Sequence, residues 1–296
     1  MTRKNTVETV MKYVLLVSAL TSITIVLMIG IFTLKEGMPA FREIGLGDLL
    51  TRTTWRPGQE QYGILAMIVG SGLVTVGAVV LGVPLALGSA IFLAEIAPQK
   101  VKAFVKPSIE LLAGIPSVVY GLFGMVVLVP LVRKIPAPGN SGYGLLAASV
   151  VLAIMILPTI ASVSENAIRN VPRSFREGSL AMGATRWETI RKVVLPSARS
   201  GILSAVVLGL GRALGETIAM IMVIGNSVVM PAATGGNPLT IFLSRARTLT
   251  GNIAVEIAYA TGIHANALFA TGVVLFVLIM LVNSSARFLI SNRSYK

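Results

Sequence analysis

The chain of 296 residues has no cysteine and one histidine, and it is poor in aromatic residues (6%) and in charged ones (12%). Without cysteine there is no disulfide, no thiol nucleophile and no thiolate metal site. The single histidine, His264, lies in a polar stretch with no acidic residue beside it, which reads as an ordinary loop position rather than a metal ligand. No metal-ligand cluster and no nucleophile-and-base pair stand out, so the chain is not expected to be an enzyme. The phosphate-cradling pattern G-x-x-x-x-G-K-[ST] is absent too, which leaves no ordinary means of holding a nucleotide. The scarcity of charge decides the class. Soluble domains carry about 25% charged residues, whereas here 54% of residues are hydrophobic and the mean hydropathy is +0.83.

Six apolar runs lie near 14–34, 62–94, 109–132, 143–164, 200–225 and 267–290. A helix needs roughly 20 such residues to cross the hydrocarbon. The alternating ten-residue strands of a membrane barrel do not appear, so the sequence predicts an all-α integral membrane protein with six transmembrane helices. The first run follows "MTRK" and lacks an A-x-A cleavage pattern, which reads as a retained helix rather than a signal peptide. Residues 1–60 are expected to form an N-terminal helix and external loop, and 61–296 a transmembrane core with a cytoplasmic loop at about 165–199.

Basic residues outnumber acidic ones, 25 to 12, for a net charge of +13. In a soluble protein this would suggest nucleic acid; in a membrane protein, lysine and arginine collect in cytoplasmic loops. Sixteen fall on one side of the six spans, eight on the other, and Arg212 alone within a span. Both termini are therefore expected on the cytoplasmic side, although Arg133 and Lys134 in a short outer loop weaken the pattern locally.

Glycine and proline interrupt several spans, as in "LLAGIPSVVYGLFG" and around Pro158. Such residues loosen a helix and let neighbours approach closely. Gly211 and Gly215 form a GxxxG pair flanking Arg212, which predicts tight packing of that helix. The stretch 227–266 is long and only mildly apolar; re-entry into the membrane and contact with an external partner both remain open. Between spans four and five, "NVPRSFREGSLAMGATRWETIRKVVLPSARSG" is organised rather than passive. Pro172 suits a first helical turn, Gly183 a helix end, and Thr185 with Glu188 a capping box. Two short helices meeting at a glycine form an elbow, and Phe175, Leu180, Met182 and Trp187 give it an apolar surface for a protein partner or the membrane interface.

Here the residues carry a resemblance. Glu177, Gly178 and Ser179, then Gly183 after three residues and "VVLP" after nine more, resemble the EAA loop of importer-type ABC permeases, with small residues in place of the two alanines. "ELLAGIPSVVYGLFG", "GATRWETIRKVVLPSARSGI" and "GLGRALGETIAMIMVIGN" resemble the phosphate permease family of the PstC type, with the sister PstA type as the alternative. The resemblance covers most of the chain from about residue 60. It implies an importer-type ABC permease fold, and a heterodimer with a sister permease subunit. It also implies two copies of an ATPase subunit that supply ATP and magnesium chemistry, an extracytoplasmic phosphate-binding protein, and a coupling role for Glu177, Gly178, Ser179 and Gly183. A secondary transporter or channel is the rival from another class, against which the EAA-like loop argues.

Arg212 and Glu216 stand one helical turn apart in an apolar run, about 18 Å into a span that starts near Ser200. Positions i and i+4 share a helix face, so the two are expected to reach each other. The arginine fork suits a phosphate oxyanion, and a protonated phosphate, unlike sulfate, has a proton to give a carboxylate. These two residues are the candidate substrate path, with Glu216 expected to hold Arg212 when the path is empty.

Overall fold

The computed structural model describes the backbone of residues 2–291 and the side chains of residues 8–285. The terminal charges Arg3, Lys4, Arg287, Arg293 and Lys296 lie outside the described side chains. Helix α1 (Thr2–Ala40) passes through a wide turn at 41–45 into α2 (Leu46–Thr51). A two-residue hairpin follows, β1 (Trp55–Arg56) against β2 (Gln61–Tyr62), with Trp55 opposite Tyr62. The core comprises α3 (Leu65–Ile91), α4 (Gln99–Gly114), α5 (Ser117–Phe123), α6 (Val129–Arg133) and α7 (Leu145–Arg169). After it come α8 (Arg173–Ala181), α9 (Arg186–Thr189), α10 (Leu195–Ser197), α11 (Arg199–Gly215), α12 (Ile218–Val223), α13 (Leu249–Glu256) and α14 (Ile263–Ser291).

Helices α1, α3, α7 and α14 are each long and apolar enough to cross a membrane. Six crossings result when two bent pairs each count as one. The third span differs from its expected course. Ile115 and Pro116 are extended, because a residue before proline is pushed out of the helical region, and the chain turns by 97° between α4 and the 117–133 arm. Tyr120 Oη holds the corner by donating to Leu112 O at 2.7 Å. The fifth span, expected as one run over 200–225, ends at Gly215 and restarts at Ile218.

Helix α7 is the axis. Leu145, Leu152, Ile156 and Ile160 on it are fully buried among residues of α3, α11 and α12. Lipid is as apolar as these side chains, so close packing rather than burial from water holds the helices together. Glycines permit that approach: a Cβ at Gly77 would strike Ser149, one at Gly82 would lie 3.1 Å from Ala153 O, and one at Gly209 would strike Ile160. Gly211 and Gly215 behave differently from the expected tight pair, since a Cβ on either would meet nothing. Their face is open among the described residues. The outward surface of α1 is apolar along its length, from Val10 to Leu34, as a lipid-facing helix requires.

At one end of the bundle Lys106 reaches the buried Glu165 at 2.9 Å and Arg169 reaches it at 3.3 Å, beside the 170–199 connection. The far end carries the hairpin, the 133–144 loop and the 224–266 segment. There Ile224 and Ser227 exchange backbone hydrogen bonds with Ala246, a short 3-10 helix forms at Pro238–Leu243, and α13 packs on α3 and α14.

Candidate functional site: a broken span and a protruding elbow

Helix α11 carries Arg212 in its last turn and stops at Gly215; Glu216 is extended (φ −70°, ψ 129°). Two groups hold this break. Thr250 Oγ1 donates to Glu216 O at 3.0 Å, and Glu216 Oε1 accepts from Ala219 N at 3.2 Å, covering the first turn of α12. The ion pair expected between Arg212 and Glu216 therefore does not form. Glu216 has left the helix, so the i, i+4 geometry no longer applies. Arg212 Nη1 instead donates to Thr159 Oγ1 on α7 at 3.0 Å. Thr159 lies fourteen residues from the start of α7 and ten from its end, about 21 Å and 15 Å at 1.5 Å per residue. Arg212 is thus a half-buried guanidinium near mid-depth, with no carboxylate on it among the described residues. Such a cation calls for an anion or water. Thr159 was not legible as its partner, 53 residues away on another helix.

The elbow forms as its residues dictate. Helix α8 ends at Ala181, and Gly183 turns the chain at φ +84°, a backbone region that glycine enters freely and β-branched residues avoid. Thr185 Oγ1 accepts from Glu188 N at 3.2 Å and Glu188 Oε2 accepts from Thr185 N at 3.0 Å, a complete capping box. The Thr185 amide, then the Lys192 ammonium, hold the Glu188 carboxyl down at about 2 from an ordinary 4.5. A lowered folded value means the cap is complete above about pH 4.5 and is lost only as pH falls toward 2. Ser179 shares a 2.9 Å hydrogen bond with Thr189, tying α8 to α9. Glu177 is exposed and unpaired among the described residues, and no atom crowds Gly178. Met182 (89% exposed), Trp187 (58%), Phe175 and Leu180 are exposed apolar residues of the elbow, and Leu180 and Trp187 border a cavity of about 480 Å³.

Arg176, which sequence reasoning passed over, anchors the elbow. Its Nη2 meets Glu95 Oε1 at 2.6 Å and donates to Ile168 O at 2.9 Å, while Nη1 donates to Val171 O. Glu95 lies in a wide turn at the end of α3, 81 residues away, a separation no local pattern reveals. Both side chains are largely buried, so removing one partner strands the other. Arg176→Gln is expected to cost the elbow about 2–3 kcal/mol of local stability, read as hydrogen exchange of the α8 amides faster by about 30-fold or more. Unchanged protection would show that the clamp carries nothing.

His264 departs from its reading as a plain loop residue. It begins α14, 13% exposed, with Nε2 2.8 Å from Glu256 Oε2. The same carboxylate accepts from Trp55 Nε1 at 2.9 Å and pairs with Arg247 at 2.5 Å. The cluster ties the hairpin, α13 and α14 together.

A family model described as binding-protein-dependent transport system inner membrane component matches residues 82–294. The chain belongs to this family. The permease is 42% identical over 271 residues to the probable ABC transporter permease protein YqgH of Bacillus subtilis, covering 90% of this chain and 85% of that one. It is 40% identical over 264 residues to the phosphate transport system permease protein PstC of Haemophilus influenzae, covering 83% and 81%. Among solved structures, a chain of a bacterial ABC transporter for import of the acidic polysaccharide alginate aligns with a TM-score of 0.66 over 98% of both chains at 17% identity. A chain of the inward-facing MetNI methionine transporter aligns at 0.56, 24% identity, over 78% of the permease and 94% of that chain. At such identities these two speak for the importer-permease fold and not for its cargo.

Proposed function

We propose that this permease is the PstC-type subunit of an ATP-driven phosphate importer in the cytoplasmic (inner) membrane, with both termini and the elbow on the cytoplasmic side. The observation that carries the reading is Arg212, an uncompensated guanidinium near mid-depth at a break in a span. A cation there costs on the order of 2.5–3.5 kcal/mol on insertion scales, a cost with a purpose if an oxyanion passes it. Tetrahedral oxyanions suit the arginine fork, and relatives that carry the name of phosphate transport favour phosphate among them. Discontinuous helices at the midplane are also where transporters place their substrates.

In this reading Arg212 and Glu216 line the path. Arg212, released from Thr159, takes the anion, and Glu216 accepts a hydrogen bond from the hydroxyl of a protonated phosphate. The elbow docks on a separate ATPase subunit, present in two copies, that binds ATP and magnesium. Glu177 supplies the ionic contact, Gly178 keeps the docking face slim, Ser179 braces α8 on α9, and Gly183 aims α8. The open face at Gly211 and Gly215 is reserved for the sister permease subunit, and the far end receives an extracytoplasmic phosphate-binding protein.

Co-purification with a sister permease and an ATPase, followed by uptake of labelled phosphate and sulfate into vesicles, tests the reading. Phosphate is expected to enter in strong preference to sulfate. Glu216→Gln keeps the carbonyl that accepts from Ala219 but offers no basic oxygen, so the preference is expected to shrink by about tenfold. An undiminished preference would remove Glu216 from selection.

A further inference from the structure

At the far end of the bundle, two arginines from separate parts of the sequence converge on one residue. Arg133 Nε donates to Ser141 O at 2.9 Å, and Arg245 Nε donates to Ser141 Oγ at 3.0 Å. Both side chains are exposed, and neither uses its terminal Nη groups on a protein acceptor among the described residues. Each fork is therefore held by its Nε with its outer donors free.

The platform beneath them is stiff. Asn140 Nδ2 donates to Val132 O and Ile135 O at 2.8 and 2.9 Å, while its Oδ1 accepts from Gly142 N at 2.9 Å. The Arg245 stem lies on Gly225 (φ +88°), so close that a Cβ there would stand 2.8 Å from Arg245 Cγ. Lys134 adds a further exposed cation. Counter-charge is missing from the sequence here, for no aspartate or glutamate occurs between Glu110 and Glu165 or between Glu216 and Glu256. Glu256 itself is occupied by Arg247, His264 and Trp55. A cavity of about 510 Å³ opens beside Arg245, bordered by Pro138, Gly139, Ser227 and Ser244. The segment bearing Arg245 is fastened to the end of α12 through Ala246 N to Ile224 O at 3.2 Å. Helix α12 is six residues, Ile218–Val223, about 9 Å at 1.5 Å per residue, and it separates this segment from the break after Gly215.

We propose that Arg133 and Arg245, gathered on Ser141, form a receiving site for a tetrahedral oxyanion, one length of α12 ahead of Arg212. The site rests on the reading of this chain as a phosphate permease and adds a first station outside its mid-depth cation. Two forks with free outer donors, joined through Ser141 and with no carboxylate paired to either among the described residues, match an anion that presents several oxygens at once, and Arg245 borders the recess. Exposure keeps the attraction weak and screened by salt, as a station that must release its cargo requires. Carboxylates on a docking binding protein offer the same chemistry from another source, and the experiment separates the two.

The complete transporter, with sister permease, ATPase and binding protein, is reconstituted in vesicles. Uptake of labelled inorganic phosphate and ATP hydrolysis are followed against the concentration of loaded binding protein, for wild type, Arg245→Gln and the double variant Arg133→Gln/Arg245→Gln. The double variant is expected to lose about tenfold in saturating uptake, with the half-saturating concentration of binding protein and ATP hydrolysis unchanged. Uptake restored by more binding protein would assign the arginines to protein docking and overturn the proposal, and so would unchanged uptake. Should the double variant not assemble, Arg245→Gln at its exposed position carries the same criterion. Wild-type vesicles that import no phosphate overturn both this site and the function it rests on, whereas wild-type import with unaltered variants overturns the site alone.

Discussion

Arg212→Gln is expected to cut phosphate uptake by about 100-fold or more while the assembled complex stays intact. A charge-assisted hydrogen bond contributes about 1.5–3 kcal/mol, and a bidentate fork makes two, so losing both removes about 3–6 kcal/mol from the loaded state. At 1.36 kcal/mol per factor of ten this is about two to four orders of magnitude in rate. Stability should move the other way. Among the described residues Arg212 bonds only the neutral Thr159 hydroxyl, and Glu216 accepts from Ala219 N, so neutralising the arginine strands no carboxylate. The variant is freed from holding an uncompensated charge at mid-depth and is expected to melt no lower than wild type. Arg212→Lys keeps the charge without the planar fork and should fall between the two, about tenfold below wild type. Adding Glu216→Gln to Arg212→Gln should leave uptake where the single variant put it. The measurement is uptake in vesicles matched for assembled complex; near wild-type uptake by Arg212→Gln would make this arginine a structural residue and sink the path.

That the single variant is informative follows from a feature hydropathy does not reveal. "GLGRALGETIAM" is apolar on both sides of its charges and contains no proline, so nothing local marks the break at Gly215 to Ile218. The break is a tertiary event, held by Thr250 from a segment 34 residues away. Where proline marks a break, as at Pro116, the interruption was visible and only its angle was not. The elbow was legible almost in full because its determinants are local: a glycine at positive φ, and a threonine and glutamate three residues apart that cap each other. Its anchor was hidden for the opposite reason. Arg176 reads as one more basic residue of a cytoplasmic loop until α3 brings Glu95 to it. His264 and Glu256, eight residues apart, look unrelated in sequence because a continuous helix would hold them about 12 Å apart; the turn between α13 and α14 brings them together.

Elbow and break belong to one run of chain. From Arg186 the helix passes through α10, bends by 68° and continues as α11 to Gly215. Helix α11 is 17 residues, about 26 Å at 1.5 Å per residue, and Arg212 stands near its far end. In the proposed reading, a displacement of α9 would pass along this bent run to the mid-depth cation, while the clamp from Arg176 on α8 to Glu95 would carry it into α3. Rigid helices with few alternative packings transmit such shifts without damping them.

The aim of α8 should then decide whether ATP hydrolysis does any transport, and Gly183→Val should break it. Valine at φ +84° is strained by about 1–3 kcal/mol. No neighbouring atom lies within 4 Å of the added Cβ, so the strain is backbone alone and is relieved by unwinding the turn, which swings α8 away from its docking direction. The variant is expected to insert and to retain the ATPase only weakly, with phosphate moved per ATP hydrolysed down by about tenfold or more. Gly183→Asn is the control, since asparagine tolerates this region through its short polar side chain, and it should keep most of the coupling. Glu177→Arg probes the contact rather than the aim. It touches no partner among the described residues, so the permease itself should be undisturbed, whereas a reversed charge at the docking face should release the ATPase during purification in moderate salt. ATPase retention on the purified permease and the uptake-to-hydrolysis ratio in vesicles are the two readouts. Wild-type values of both in Gly183→Val and Glu177→Arg would count decisively against this elbow as the place where the ATPase is engaged.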